Sequence, residues 1–380
     1  MSGFADFIEE WKDFDFSSFL ADVKEKEVKA VLTKHKLDYF DFLKLLSPAA
    51  SGIIEEIAKH ASRLTARHFG RVISLYTPLY ISNYCVNKCV YCSFNHSTAI
   101  RRHRLELEEI EKEAIAIKKQ GFRDVLILTG EDRHNSSPEY IKDAVELLVK
   151  YFASVGIEVY PLTQEEYKML VSCGLDYLTL YQEVYHPEDY PVFHPSGPKN
   201  DYQYRLQAPE RAAKAGLRSV SIGSLLGLGM WQREVFFTAM HAKFLSSSYP
   251  DVEWGLSVPR IRPNSGGFEP VNPVSEKDLV KIILAYRIFL PHVGISLSTR
   301  ERPFLRDNLI GLGVTRMSAA SITQVGGHAE NNKGTGQFEV SDTRGVKEVC
   351  HAIRARGHQP VFQNWVEGIY RTNDTVSLLG

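Results

Sequence analysis

The chain has 380 residues, of which 44% are hydrophobic and 24% charged, as expected for a globular protein with a full-sized core. Its formal net charge of −1 provides no overall positive field to attract nucleic acid or an acidic membrane. The sequence shows no run long enough to span a bilayer, and its acidic N-terminus lacks the basic and apolar regions of a signal peptide. We therefore expect a cytoplasmic protein with neither a nucleic-acid nor a membrane partner.

The first 70 residues are predicted to form a helical N-terminal extension. After them, short β-rich runs alternate with amphipathic helical stretches. The strand-like runs are 71–80, 124–130, 157–162, 176–183, 218–224, 254–260, 294–300 and 314–321. Eight such units predict a parallel α/β sheet that closes most simply as a (β/α)8 TIM barrel over residues 71–325. A six-unit open barrel and a doubly wound sheet are the alternatives.

The last part of the chain, residues 326–380, is less regular and is predicted to be a loop and helix extension packed on or over the barrel. The stretch 325–337 is rich in Gly and Asn, which suggests a long loop at one barrel end. Its composition motivates the hypothesis that it serves as a lid.

Polar residues gather where the strand-like runs end. Examples are Glu131 after the second run, Gln164 after the third, Glu183 at the end of the fourth and Arg300 at the end of the seventh. The C-terminal ends of the strands carry the active site in α/β barrels. The pattern therefore favours an enzyme whose site lies at that end.

Three of the five cysteines lie in "YCVNKCVYCSFNH", as Cys85, Cys89 and Cys92. In a reducing compartment such a cluster indicates a metal or catalytic site rather than disulfides. A zinc site would recruit His96 as its fourth ligand and would make the protein a non-enzymatic, zinc-stabilised binding protein. A thioredoxin-like pair would use only two of the three thiols. The third interpretation is a [4Fe–4S] cluster held by three thiolates, which leaves one iron open to a substrate or cofactor.

This cysteine spacing, with Tyr91 directly before the third cysteine, resembles the signature of the radical S-adenosylmethionine (SAM) superfamily. Together with "LSPAASG", "PLYISN", "LTGE", "YQEVYH", "LSVPRIRP" and "LSTRE", it resembles the 2-iminoacetate synthase family, the tyrosine lyases of thiamine thiazole biosynthesis. The resemblance covers the chain from about residue 45 to about residue 330.

The resemblance implies a barrel of the radical SAM type and a [4Fe–4S] cluster whose unique iron binds SAM. It implies a lyase that cleaves the Cα–Cβ bond of L-tyrosine to 2-iminoacetate (dehydroglycine) and p-cresol, while SAM gives methionine and 5′-deoxyadenosine. It also implies thiazole synthase as the consumer of the product and reduced flavodoxin or ferredoxin as the electron donor.

The same resemblance implies roles for individual residues. The cluster ligands would be Cys85, Cys89 and Cys92. The residues that contact SAM would be Tyr91, Thr129, Gly130, Glu131, Glu183 and Arg205. The residues that hold the substrate would be Tyr80, Arg300 and Ser318.

The chemistry of these side chains leaves structural alternatives open. Arg300 has the planar fork that clamps a carboxylate with two hydrogen bonds, but it could instead form a salt bridge with Glu301. Glu183 could be part of an ion pair at the barrel mouth, and Tyr80 could be a packing residue of the rim.

Three kinds of relative share parts of this pattern, of which the enzymes that build deazaflavin and menaquinone precursors share only the barrel and the cysteine loop and are the most distant. Lyases that act on tryptophan share the three substrate-holding positions, so those residues do not choose the substrate, and the likeness outside the site favours tyrosine. The maturase of [FeFe] hydrogenase also cleaves tyrosine but carries a second cluster in a further C-terminal domain. We expect no second cluster here, because Cys350 is the only cysteine after Cys173.

Overall fold

A computed structural model of the chain describes residues 3–329 and 334–362. Parts of the predicted C-terminal extension, residues 330–333 and 363–380, lie outside the described residues. The strands are β1 (Val72–Ser82), β2 (Asp124–Thr129), β3 (Ser154–Glu158), β4 (Tyr177–Glu183), β5 (Ser219–Ser224), β6 (Glu253–Ser257), β7 (Gly294–Leu297), β8 (Arg316–Ser318) and β9 (Gln359–Val361).

The α-helices of the described chain are divided between an N-terminal group and the barrel. The N-terminal group is α1 (Phe4–Trp11), α2 (Phe16–Asp22), α3 (Glu25–Val31), α4 (Tyr39–Leu46) and α5 (Ile54–Phe69). The others are α6 (Leu107–Lys119), α7 (Pro138–Leu148), α8 (Gln164–Ser172), α9 (Tyr190–Phe193), α10 (Tyr202–Leu206), α11 (Ala208–Lys214), α12 (Trp231–Ser248), α13 (Glu276–Phe289), α14 (Pro303–Leu309) and α15 (Val346–Ala355). Short 3₁₀ helices cover Pro48–Ile53 and Pro198–Asn200.

Strands β1 to β8 pair in sequence order, all in parallel, and β1 pairs with both β2 and β8, which closes the barrel. Leu79 of β1 faces Ile127 of β2 in the ladder, and Leu75 of β1 faces Met317 of β8. The predicted (β/α)8 barrel is therefore confirmed. Strand β9 was not predicted, and it pairs with the first residues of β1, ahead of those that pair with β2.

The strands are largely buried on both faces because helices cover the outside and side chains fill the inside. Every residue of β2 except its last is buried, and β5 is buried along its whole length. The helices follow the usual end signals: Ser137 caps α7 by accepting a hydrogen bond from the Tyr140 amide at 3.2 Å, and Pro138 takes the first helical position. Local sequence and burial therefore agree with the barrel order.

A layer of charged and aromatic side chains fills the barrel at the N-terminal ends of its strands. Arg316, the first residue of β8, lies 4.4 Å from the ring of Tyr76 and 4.3 Å from that of Tyr177. Its guanidinium pairs with Asp124 at 2.6 Å, and the Tyr177 hydroxyl donates to the same carboxylate at 2.8 Å. A cavity of about 1060 Å³, counting the space at its open mouth, also lies at this end and is lined by Asp124 and Arg316 among others.

The N-terminal helices pack on the outer helices of the barrel, with α4 and α5 against α13 and α1 against α12. Aromatic contacts join them: Phe4 stacks on His241 at 4.3 Å, and Phe42 lies 4.7 Å from Phe289. In the part of the chain that the structure describes, no helix has the length and hydropathy needed to cross a membrane.

Candidate active site

A cavity of about 1000 Å³, counting the space at its open mouth, lies at the C-terminal ends of the barrel strands. It is lined by eleven of the twelve residues predicted as site residues: Tyr80, Cys85, Cys89, Tyr91, Cys92, Thr129, Gly130, Glu131, Glu183, Arg205 and Arg300. The fold thus brings together side chains that are up to 220 positions apart in sequence. The twelfth, Ser318, lines a second cavity described below.

The cysteine loop leaves the end of β1 and is held by backbone contacts rather than by regular secondary structure. The guanidinium of Arg102 donates to the carbonyls of Asn83 at 2.7 Å, Phe94 at 2.8 Å and Asn95 at 2.6 Å. One cation therefore joins the start of the loop to its end and fixes the positions of the thiols between them.

The three thiols are free, with Cys89 buried and Cys85 and Cys92 partly exposed to the cavity they line. Burial raises the pKa of Cys89 to about 12 and also raises the pKa of Cys92, so both are neutral thiols until a metal displaces the proton. These side chains are soft sulfur donors at an accessible cavity wall, as an iron–sulfur cluster requires.

The geometry fits a cluster better than a zinc ion. Among residues 3–329 and 334–362, no three His, Cys, Asp or Glu side chains converge as ligands of one metal ion. A [4Fe–4S] cluster does not need this convergence, because each thiolate bonds a different iron. The predicted fourth zinc ligand, His96, is exposed, and its Nδ1 lies 3.3 Å from the carbonyl oxygen of Cys85.

The end of β2 lies directly against the cysteine loop. A Cβ atom at Gly130 would lie 2.2 Å from the Tyr84 carbonyl oxygen and 3.0 Å from the Cβ of Cys85, so only glycine allows this approach. The next residue, Glu131, accepts a hydrogen bond from the Asn87 side-chain amide at 2.6 Å. The hydroxyl of Thr129 is buried and has no partner among the described residues, which leaves it free for a bound molecule.

Glu183 has a left-handed backbone at the end of β4, with φ of 71°, a costly conformation for a residue other than glycine. Its carboxylate pairs with Lys199 at 2.7 Å and lies 3.6 Å from Arg205. Glu183 is therefore part of an ion pair at the barrel mouth, which was the structural alternative to a cofactor contact, and this pair lies in the cavity wall. Arg205 is further held by a 2.7 Å hydrogen bond from its Nε to the Tyr181 carbonyl.

Tyr91 lies in the cavity wall and is oriented by a buried histidine. His194 places its Nδ1 2.8 Å from the Tyr190 carbonyl, so this nitrogen carries the proton and Nε2 accepts from the Tyr91 hydroxyl at 2.8 Å. Burial lowers the pKa of His194 to about 2, which keeps the ring neutral. His194 acts as a positioning residue, and Lys199 lies 5.6 Å from the Tyr91 ring centre on the cavity side.

Arg300 has no carboxylate partner within salt-bridge distance among the described residues. Glu301, the structural partner considered for it, instead pairs with Arg260 through both carboxylate oxygens. The Arg300 guanidinium stacks on the ring of Phe338, with 3.4 Å from its central carbon to the ring centre, and makes one long hydrogen bond to the Arg260 carbonyl. Its remaining donors face the cavities.

A second cavity of about 560 Å³ lies deeper in the barrel and shares six wall residues with the first. The shared residues are Tyr80, Leu128, Glu158, Tyr181, Arg300 and Phe338. Ser318 lines this inner cavity, and its hydroxyl accepts a hydrogen bond from the Thr299 amide at 3.0 Å. The predicted substrate residues therefore lie at or beyond the boundary between the two cavities.

Several wall residues were missed from the sequence. Gln164, expected at the site, instead begins α8, and Glu158 is the polar residue at the end of β3. Gln337 accepts a 2.7 Å hydrogen bond from the Tyr80 hydroxyl and lies 3.8 Å from the Cys92 sulfur. The sequence could have indicated Glu158, because it is a lone carboxylate in an apolar run. No sequence pattern indicates Gln337.

The sequence profile of the radical SAM superfamily matches residues 79–236, and that of the Biotin and Thiamin Synthesis associated domain matches residues 257–359. The 2-iminoacetate synthase of Escherichia coli K12 is 38% identical over 94% of this chain and 96% of its own. That of Salmonella typhimurium is 37% identical over 97% of this chain and 99% of its own.

Among solved structures, a maturase of the [FeFe]-hydrogenase superposes with a TM-score of 0.90 at 32% identity. The match covers 97% of this chain and 83% of the maturase chain. Sequence and structure comparisons therefore agree over nearly the whole length of the protein.

Proposed function

The chain belongs to the 2-iminoacetate synthase family of radical SAM enzymes, and from this premise we propose how its two cavities cleave L-tyrosine to supply the thiazole of thiamine. The protein is a carbon–carbon lyase that uses a [4Fe–4S] cluster and SAM. It breaks the Cα–Cβ bond of tyrosine and releases 2-iminoacetate and p-cresol. The observation that carries the site assignment is the junction of the cysteine-lined cavity with the inner cavity at Arg300.

We assign the outer cavity to the cofactors. Cys85, Cys89 and Cys92 hold the cluster, and the close approach of Gly130 sets the distance between the cysteine loop and the end of β2. When bound, the cluster and SAM supply a 5′-deoxyadenosyl radical through one-electron cleavage of SAM.

The remaining polar wall of the outer cavity is assigned to SAM. Its members are Tyr91, Thr129, Glu131, Glu183 and Arg205. Lys199 and Arg205 both lie against Oε1 of Glu183, so Oε2 stays available to accept hydrogen bonds from hydroxyl groups of the cofactor.

Tyrosine is placed across the boundary of the two cavities. Arg300 binds its carboxylate with the donors that have no protein acceptor, which fixes the amino acid end beside the outer cavity. The aromatic ring then extends inward, where Tyr80, Leu126 and Val258 supply apolar surface and Ser318 a hydroxyl. The buried hydroxyl of Ser321 has no partner among the described residues and lines the same space, as a phenol group would require.

Residues 337–341 cover the junction of the two cavities. The Gln337 amide bonds to the Thr323 carbonyl at 3.2 Å, and the Ser341 amide to the Thr299 carbonyl at 2.9 Å, so the chain between them crosses the barrel end. This segment limits the access of water, to which the imine product is sensitive. It overlaps the predicted lid, 325–337, whose movement is a further part of the proposal.

The partners follow from the chemistry of the product and the cofactor. Because 2-iminoacetate hydrolyses readily, we propose that it passes to a thiazole synthase, and that reduced flavodoxin or ferredoxin supplies the electron. The free thiols of the cluster loop require a reducing environment, which favours the cytoplasm.

The function is tested by anaerobic incubation of the reconstituted enzyme with SAM, a reductant and either tyrosine or tryptophan. We expect p-cresol from tyrosine and no 3-methylindole from tryptophan. Turnover of tryptophan without release of p-cresol from tyrosine would contradict the assignment of the substrate.

A further inference from the structure

Glu158 is the last residue of β3 and lines both cavities, so its carboxylate lies at the junction where the amino acid end of the substrate is placed. Its side chain is partly buried, and the exposed part faces the cavities.

The carboxylate is unpartnered. Within residues 3–329 and 334–362 no hydrogen bond or ion pair to Glu158 is present, although other acidic side chains of the cavity walls, Glu131 and Glu183, are both paired. Burying an unpaired carboxylate inside a barrel costs free energy of folding unless a ligand supplies the missing partner.

Charged and titratable groups of several elements surround Glu158. They are Tyr76 and Tyr80 of β1, Tyr181 and Glu183 of β4, Lys199 and Arg205 after β4, and Arg300 after β7. Burial raises the pKa of Glu158 to about 7, against the opposing effect of Arg300. The group can therefore change its protonation state near neutral pH.

The reaction itself requires a proton acceptor at the substrate nitrogen. Tyrosine enters as an ammonium with three N–H bonds, and neutral 2-iminoacetate keeps one. A radical removes at most one hydrogen atom from each substrate, so at least one hydrogen leaves the nitrogen as a proton.

We propose that Glu158 binds the α-ammonium group of the substrate beside the Arg300–carboxylate pair and accepts one proton from it. This inference rests on the proposed tyrosine lyase activity. In the step, an N–H bond breaks, its electron pair stays on nitrogen, and an O–H bond forms on the Glu158 carboxylate. The products are a neutral amine and a neutral carboxylic acid, so charge and atoms balance.

The binding part of the proposal is tested with the anaerobically reconstituted holoenzyme and two ligands. Tyrosine carries the ammonium, and 3-(4-hydroxyphenyl)propanoate lacks it but keeps the carboxylate and phenol. We expect the wild type to prefer tyrosine, and Glu158→Gln to reduce that preference by about tenfold or more, because a charge-assisted hydrogen bond is lost. Glu158→Asp should retain part of it.

The proton-transfer part is tested by the pH dependence of kcat/KM for p-cresol formation. The wild type should gain activity as the pH rises through about 7, because the carboxylate form of Glu158 is the acceptor. Glu158→Gln should lose this limb and fall about 100-fold at high pH. The matched control is Glu234→Gln: burial raises the pKa of Glu234 to about 7 as well, but this residue is bonded to the Tyr185 amide and does not line either cavity.

An unchanged ligand preference together with an unchanged pH limb in Glu158→Gln would overturn the inference and leave the lyase activity standing. Loss of the limb in Glu234→Gln but not in Glu158→Gln would overturn it too. If the wild type releases no p-cresol at any pH, the proposed function fails first, and the inference fails with it.

Discussion

Replacement of Arg300 by alanine should abolish efficient use of tyrosine while leaving the fold nearly intact. The guanidinium forms no salt bridge among the described residues, so its removal breaks no ion pair, although it takes away the positive charge that opposes the rise in the pKa of Glu158. What is lost is the stacking on Phe338 and one 3.4 Å hydrogen bond. A cation–π contact contributes about 0.5–1 kcal/mol, so the free energy of unfolding should fall by roughly 1 kcal/mol.

The effect on catalysis should be much larger. One charge-assisted hydrogen bond contributes about 1.5–3 kcal/mol, and the two bonds of a bidentate clamp are not additive, so we take about 3 kcal/mol for the pair. At about 1.4 kcal/mol per factor of ten, kcat/KM for p-cresol formation should fall about 150-fold. Arg300→Lys should recover only part of this, because a lysine cannot form the planar fork.

The matched control is Arg302→Ala. Arg302 lies two positions further along the same loop, but it pairs with Glu276 at the surface and lines neither cavity. Its removal should change stability by less than about 1 kcal/mol and kcat/KM hardly at all. The measurements are steady-state p-cresol release, the visible spectrum of the cluster and the denaturation midpoint. Equal kcat/KM in the Arg300 and Arg302 variants would refute the clamp.

Three more substitutions test the cofactor cavity. Gly130→Ala should lower the iron content after reconstitution, because its Cβ would lie 2.2 Å from the Tyr84 carbonyl oxygen. In the control Gly294→Ala the new Cβ meets no atom closer than 3.5 Å, so this variant should retain about four irons per chain. Equal iron contents in the two variants would contradict the close approach at Gly130. Cys92→Ala should lose the cluster absorbance, and Cys350→Ala, whose thiol lines neither cavity, should keep it. A cluster in both variants would exclude Cys92 as a ligand. Phe338→Ala should raise the ratio of 5′-deoxyadenosine to p-cresol, because water and misplaced substrate then reach the junction of the two cavities. An unchanged ratio would show that Phe338 does not protect the reaction.

The sequence predicted the barrel and its cofactor end because both depend on local patterns. Each of the eight strand-like runs overlaps one strand of the barrel, although the run 157–162 shares only two residues with β3, and the motif around Cys85 lies within one loop. Strand β9 was missed because it is only three residues long and forms by pairing with β1, which lies nearly 290 positions earlier.

Site residues were missed where tertiary contacts decide the position. The apolar run 157–162 suggested a strand that ends near Gln164, but β3 ends at Glu158, so the polar residue at the strand end was misplaced. Gln337 reaches Tyr80 across 257 positions, through a segment without regular secondary structure. Neither propensity nor spacing reports such a contact. The roles of the twelve predicted site residues, unlike their location, stay predictions until variants are measured.

The most direct test of the account is cleavage of tyrosine labelled with ¹³C at either Cα or Cβ, followed by NMR of the products. We expect the Cβ label in the methyl group of p-cresol and the Cα label in 2-iminoacetate or its hydrolysis product glyoxylate. We also expect one p-cresol for each 5′-deoxyadenosine in a single turnover. Formation of 5′-deoxyadenosine with tyrosine recovered intact, or both labels in one product, would contradict these expectations.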